Sequence, residues 1–188
     1  LFNTCNYIDE KHRKTFIYEL ISSLIFYFFL INYRPYIFKR TYICMIKWDK
    51  RKFIRKTKSN CLSHVSMITM DLIKFAEDNA DQIVWGSGDQ YGTMTFKCKS
   101  HDYGFLPLFY ITTNGRIKFS INLLRSKVNQ LEIIRDFQLK LESSFLMDFD
   151  SSDYPSDLYH SLEDMFTMRS EVNKFITTIQ SLSARLHQ

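Results

Sequence analysis

At 188 residues, 45% of them apolar, the chain can hold one ordinary domain with its own core plus an appendage. Its formal net charge of +5 conceals a division: residues 1–66 carry 13 Lys and Arg against 4 Asp and Glu, while residues 67–188 carry 12 against 16. Four scattered cysteines (Cys5, Cys44, Cys61, Cys98) exclude the disulfide framework of a small secreted fold and point to reduced thiols in a cytoplasmic compartment.

The first element is the run 15–33, TFIYELISSLIFYFFLINY, which holds one charge, Glu19, between Lys14 and Arg34. At helical rise these residues span roughly 28 Å, close to a bilayer core of about 30 Å. Three readings compete. A membrane helix would set the rest of the chain on the cytoplasmic face, because ten Lys and Arg follow between Arg34 and Lys58. A buried or partner-covered helix fits Glu19, Ser22 and Ser23 better. The third takes residues 1–66 as translated AT-rich DNA that is not native coding sequence. The segment is crowded with Ile, Phe, Tyr, Asn and Lys and has no glycine, and its first Met is Met45, so Met67 or Met70 would be the start.

Within the basic stretch 34–58 stand Tyr36, Phe38, Tyr42, Trp48 and Phe53. Cations on phosphates with aromatics stacking on bases would make this a nucleic-acid contact. The plainer reading is a solvated face beside anionic headgroups.

From Met67 on, the pattern reads as a compact α+β domain: a small antiparallel sheet of three to four strands against helices, preceded by a mostly helical basic segment. Thr69 caps a first helix with Ile68, Leu72, Phe75 and Ala76 on one face, ending near Asn79. Gln82–Trp85 is a short strand, residues 86–92 a glycine loop, and Thr93–Cys98 an alternating strand with Met94, Phe96 and Cys98 inward. Gly104–Thr112 is apolar and aromatic. Asn114-Gly115 makes a hairpin turn in which both positions tolerate positive φ, and Arg116–Ile121 alternates again. Helices complete the domain: one capped by Ser126, one capped by Ser156 with Leu158, Leu162 and Met165 on its apolar face, and one capped by Ser170 with the stripe Val172, Phe175, Ile179, Leu182 and Leu186. The acids Asp148, Asp150 and Asp153 lie in a loop.

The glycine loop, Gly86-x-Gly88-x-x-x-Gly92, follows a strand as a phosphate loop does, but a strand rather than a helix comes next, so a structural hairpin is the better reading. Cys61-x-x-His64 and Cys98-x-x-His101 have ligand spacing and could join as a Cys2His2 zinc site; core cysteines with turn histidines are the default. The acid and acid-x-Lys of a metal nuclease are not found around Lys97-Cys98-Lys99, and no Ser-His-Asp or Cys-His arrangement can be placed from order alone. No cofactor motif is present, and the balance leans away from an enzyme.

Trp85-Gly-x-Gly-x3-Gly92-Thr93, the aromatic strand after it, the hairpin Thr113–Phe119 and the Pro155-Ser156 step resemble a small uncharacterised bacterial domain often found beside restriction- or repair-type nuclease domains. The resemblance covers residues 68–186, departs at Met94 where that family tends to an aromatic, and implies an accessory or recognition role. The expected function is therefore a non-enzymatic binding module for an unidentified protein or small molecule. Its contact residues would be Trp85, Gly86, Gly88, Asp89, Tyr91 and Gly92, beside the Tyr103–Tyr110 strand. The alternatives are a membrane-tethered cytoplasmic protein anchored by 15–33, and a metal-dependent enzyme acting on nucleic acid.

Overall fold

The chain divides into two compact units, Leu1–Ile43 and Cys44–Gln188. The computed structural model describes residues 47–149 and 157–188, all of them in the second unit. The candidate span 15–33, the aromatics Tyr36, Phe38 and Tyr42, and the acids Asp150 and Asp153 lie outside the described residues. Among the described residues no helix is long and apolar enough to cross a membrane.

The architecture is α+β. Two helices, α1 (Lys50–Asn60) and α2 (Ser63–Asn79), lead into β1 (Gln82–Trp85), β2 (Thr93–Ser100), β3 (Gly104–Thr112) and β4 (Arg116–Phe119). Then come α3 (Ile121–Lys127), α4 (Leu131–Phe145), β5 (Tyr159–Ser161), α5 (Leu162–Met165) and α6 (Arg169–Leu186). The sheet is an antiparallel meander in the order β1-β2-β3-β4-β5. It therefore has five strands rather than three or four. The extra one, β5, lies where a Ser156-capped helix is expected from the sequence. Three residues give too short a period to read, and Leu158, expected on that helix's apolar face, is exposed.

Strand alternation puts Met94, Phe96, Phe109, Ile111, Ile117 and Phe119 into the core, all fully buried. Aromatic rings carry that face into the helices. Phe75 of α2 stacks on Phe96 at 5.5 Å, Phe96 on Phe109 at 5.0 Å, and Phe109 meets Phe175 of α6 edge-on at 5.2 Å. The sheet register slips once. Phe96 pairs with Phe109 but Lys97 with Pro107, leaving Leu108 as the extra residue. Pro107, which has no N–H for the ladder, sits beside that bulge, the place in a central strand that tolerates it.

Local signals at the helix starts are redistributed. Helix α2 begins at Ser63, so Thr69 is an interior residue, buried, with its hydroxyl donating to the Val65 carbonyl at 2.8 Å. Ser126 lies in the last turn of α3, and α4 starts at Leu131. Helix α6 starts at Arg169; Glu171 rather than Ser170 does the capping, its carboxylate accepting from the Met168 N–H at 2.8 Å. In each case a serine or threonine suits a cap locally, but packing of the apolar stripe fixes where the helix begins.

The Thr113–Gly115 hairpin also differs. The Gly115 N–H donates to the Thr112 carbonyl at 3.1 Å, and only Gly115, at φ +68°, is left-handed. This is a three-residue loop closing with a left-handed glycine, not a two-residue turn with positive φ at Asn114.

Residues 47–66, basic in composition, contribute to this same core. Trp48, Phe53, Thr57, Val65 and Ser66 are all buried, and Phe53 packs against Trp85 with ring centroids 5.3 Å apart. Met67 and Met70 lie inside α2.

Candidate functional site

The glycine loop is occupied by the chain itself. Trp48 lays its ring against Gly92, where an added Cβ would stand 2.7 Å from the indole. Its Nε1 donates to the Gly88 carbonyl at 2.6 Å, and its backbone N–H donates to the Gly86 carbonyl at 3.1 Å. At Gly86 an added Cβ would lie 2.1 Å from Thr93 Oγ1, so a side chain there would force that hydroxyl to rotate away. The loop is thus a hairpin whose glycines admit a tryptophan and a threonine. Trp85 is half-buried under Phe53; Asp89 and Tyr91 are exposed at the loop's tip. Of the six residues expected to form a contact surface, the structure leaves those two projecting into solvent as side chains. Trp48 and Phe53, which the sequence offers either to the bases of a nucleic acid or to a solvated face beside headgroups, are core residues.

The sheet face turned away from the aromatic core carries the row Val84, Thr95, Tyr110, Lys118 and Tyr159, aligned across all five strands. The Lys118 Nζ lies 4.6 Å from the centre of the Tyr110 ring and 5.0 Å from that of Tyr159. This cation is held by two ring faces of its own sheet.

Helix α1 is different. Asp49 caps it by accepting from the Lys52 N–H at 2.8 Å. Six of its eleven residues are Lys or Arg and none is acidic. Phe53 and Thr57, four apart, face the core. Arg51, Arg55 and Lys58, spaced four and three, face the other way and are exposed. Lys50 pairs with Glu77 at 2.6 Å and Lys52 with Asp49 at 3.7 Å. Arg51, Arg55, Lys56 and Lys58 have no ion-pair partner among the described residues.

The four cysteine and histidine positions considered for zinc are not assembled. Cys61 Sγ contacts the Thr113 carbonyl at 3.5 Å, His64 faces Glu163 at 3.8 Å, and His101 contacts Asp102 at 3.1 Å. Cys98 instead faces His187, Sγ to Nε2 3.4 Å, and His187 Nε2 is 2.8 Å from Asp81 Oδ2. No spacing rule connects these three, which lie 17 and 89 residues apart; the inward phase of Cys98 in its strand is the only hint in the sequence. They do not form a nucleophilic triad. One nitrogen faces both partners, so the imidazole cannot take a proton from sulfur while donating from its other nitrogen to the carboxylate. Burial also pushes the Cys98 thiol up to about 11, far from thiolate at neutral pH.

No family model matches the chain, and no curated protein and no solved structure matches it.

Proposed function

We propose that this chain is a non-enzymatic binding module whose ligand is a nucleic acid, held by its phosphates on the outward face of α1. The observation that carries the proposal is the row Arg51, Arg55 and Lys58, with Lys56 beside it, exposed and without ion-pair partners among the described residues. Local energetics run against this arrangement. Lys50, Arg51 and Lys52 stand at the positive end of the helix, and Arg51/Arg55 and Lys52/Lys56 are like-charge pairs four apart. Each such feature costs a few tenths of a kcal/mol. A helix anchored by Phe53 can carry that cost, and a polyanion would remove it.

A nucleic acid fits better than a bilayer surface. A helix that lies on lipid buries an apolar face in the headgroups. Here Phe53 is already buried in the domain core, and what remains outward is charge. A place beside restriction or repair nucleases, which the resemblance implies, belongs to the same proposal and makes DNA the first ligand to try.

Fluorescence anisotropy of the full chain against single- and double-stranded oligonucleotides tests it. Binding should weaken linearly in log affinity with log salt. Arg51→Gln/Arg55→Gln/Lys58→Gln should bind on the order of 10-fold more weakly at low salt, with a salt slope shallower by about 1 for each phosphate no longer neutralised. An unchanged affinity in the triple variant, or binding to anionic vesicles without binding to either oligonucleotide, would overturn it.

A further inference from the structure

The geometry points to a zinc-class metal site formed by Asp81, Cys98 and His187, a thiolate, an imidazole and a carboxylate on three separate elements. Asp81 immediately precedes β1, Cys98 lies in β2, and His187 directly follows α6. Their donor atoms all lie within 4.8 Å of one another, and among the described residues this is the one group of three or more such side chains that converges.

The spacing suits a tetrahedral ion. With metal–sulfur near 2.3 Å and metal–nitrogen or –oxygen near 2.0–2.1 Å, the sulfur–nitrogen edge of the tetrahedron is about 3.5 Å and the nitrogen–oxygen edge about 3.3 Å. The structure has 3.4 Å between Cys98 Sγ and His187 Nε2, and 2.8 Å between His187 Nε2 and Asp81 Oδ2. The first needs no change, and the second opens by about half an ångström once the hydrogen bond gives way to a metal. A single ring nitrogen facing both sulfur and carboxylate, unsuited to proton relay, is what shared coordination requires.

The surroundings hold the donors in place. The Lys99 N–H donates to Asp81 Oδ2 at 2.7 Å, and the His187 N–H donates to the Ser183 carbonyl at 3.1 Å, which fixes the turn that carries the ring. The Ser183 carbonyl is 3.8 Å from Cys98 Sγ, and the hydroxyl of the same residue is buried with no hydrogen-bond partner among the described residues. Asp81 and His187 reach solvent, which gives the ion a way in and leaves a fourth position for water. Sulfur, nitrogen and oxygen donors in a tetrahedral set favour zinc over magnesium or calcium.

Binding breaks the Cys98 S–H bond, releases that proton to solvent and forms a metal–sulfur bond. His187 coordinates through Nε2, with its remaining proton on Nδ1. The ion would tie the C-terminal end of α6 to the β1–β2 side of the sheet, and its binding free energy would add to folding stability.

Cobalt(II) titration of the reduced full chain tests the site. Expected are one ion per chain, a thiolate-to-cobalt charge-transfer band, intense visible bands of tetrahedral cobalt, and displacement by zinc. Asp81→Ala and His187→Ala should each weaken cobalt binding by at least about 10-fold. Zinc should raise the melting temperature of the wild type but not of His187→Ala, whose fold is checked by circular dichroism. Absence of the charge-transfer band, or wild-type cobalt affinity in His187→Ala, overturns the site; the latter would place the metal on other cysteines such as Cys5 or Cys44.

Discussion

The indole N–H of Trp48 donates to the carbonyl of Gly88 at 2.6 Å, joining positions forty residues apart. With the ring seated on Gly92, this contact ties the chain ahead of α1 to the β1–β2 hairpin. Trp48→Ala should destabilise the protein by about 3–5 kcal/mol, the usual range for deleting a buried large aromatic. Gly92→Ala, which drives a methyl into the indole, should cost about 1–3 kcal/mol. In the double variant the clash with the indole is gone and only Thr113 Cγ2, 3.0 Å away, still crowds the methyl, so the double variant should cost less than the sum of the two single variants. Urea unfolding of the four proteins measures this coupling, and strict additivity would show that the glycine is not there for the ring.

A chain beginning at Met67 would lack α1 and the first turn of α2, and with them the buried side chains Trp48, Phe53 and Val65. It would also uncover Trp85, which Phe53 covers. Loss of three buried side chains, at a few kcal/mol each, is comparable to the ~5–15 kcal/mol by which a whole domain is stable. Expressed alone, residues 67–188 should show no cooperative thermal transition, whereas the full chain should show one. A sharp transition in the short form at the same temperature would deny α1 its place in the core.

Two left-handed residues should respond in opposite directions to substitution. Leu146 ends α4 at φ 52° with its side chain 97% exposed, so it bears the strain of that conformation with no packing in return. Leu146→Gly should stabilise the protein by up to about 1 kcal/mol. Gly115 stands at φ +68°, and a Cβ there would come within 2.9 Å of Val65 Cγ1. Gly115→Ala should therefore cost more than the conformational term of about 1 kcal/mol. Melting temperatures of the two variants decide both claims.

Glu171 supplies a pH dependence. The N–H of Met168 (2.8 Å) and then the hydroxyl of Thr167 (3.1 Å) donate to its carboxylate and hold its pKa below the usual range. The unfolded chain binds that proton more readily than the folded one. The stabilisation is therefore complete above the unfolded value of about 4.3 and fades as the pH falls through the lowered folded value. Glu171→Gln should melt below the wild type at neutral pH, and the two should converge in acid. A difference that persists unchanged at pH 2 would assign the effect to packing.

The sequence determined what depends on neighbours along the chain. Alternation in Thr93–Cys98 and from Arg116 to Phe119 marks strands with a buried side, and the apolar, aromatic run Gly104–Thr112 marks the strand between them. The stripe Val172, Phe175, Ile179, Leu182 and Leu186 marks the last helix, and glycines concentrate around the hairpins. These patterns survive because burial repeats with the period of the backbone.

The sequence misplaced what depends on partners far away. Trp48 and Phe53 stand in a basic run and read as surface aromatics, yet Gly88, Gly92 and Trp85 enclose them. Thr69 suits a cap until Val65 and Ser66 are buried one turn earlier. Strand β5 exists only because Ile117 and Lys118 of β4 offer it a ladder. Beyond the inward phase of Cys98, the group Asp81, Cys98 and His187 has no signature, because each of its members reads locally as an ordinary loop acid, core cysteine or histidine after a helix. The sheet and α6 bring them within bonding range, and convergence of that kind is set by long-range packing, which leaves no period in the sequence.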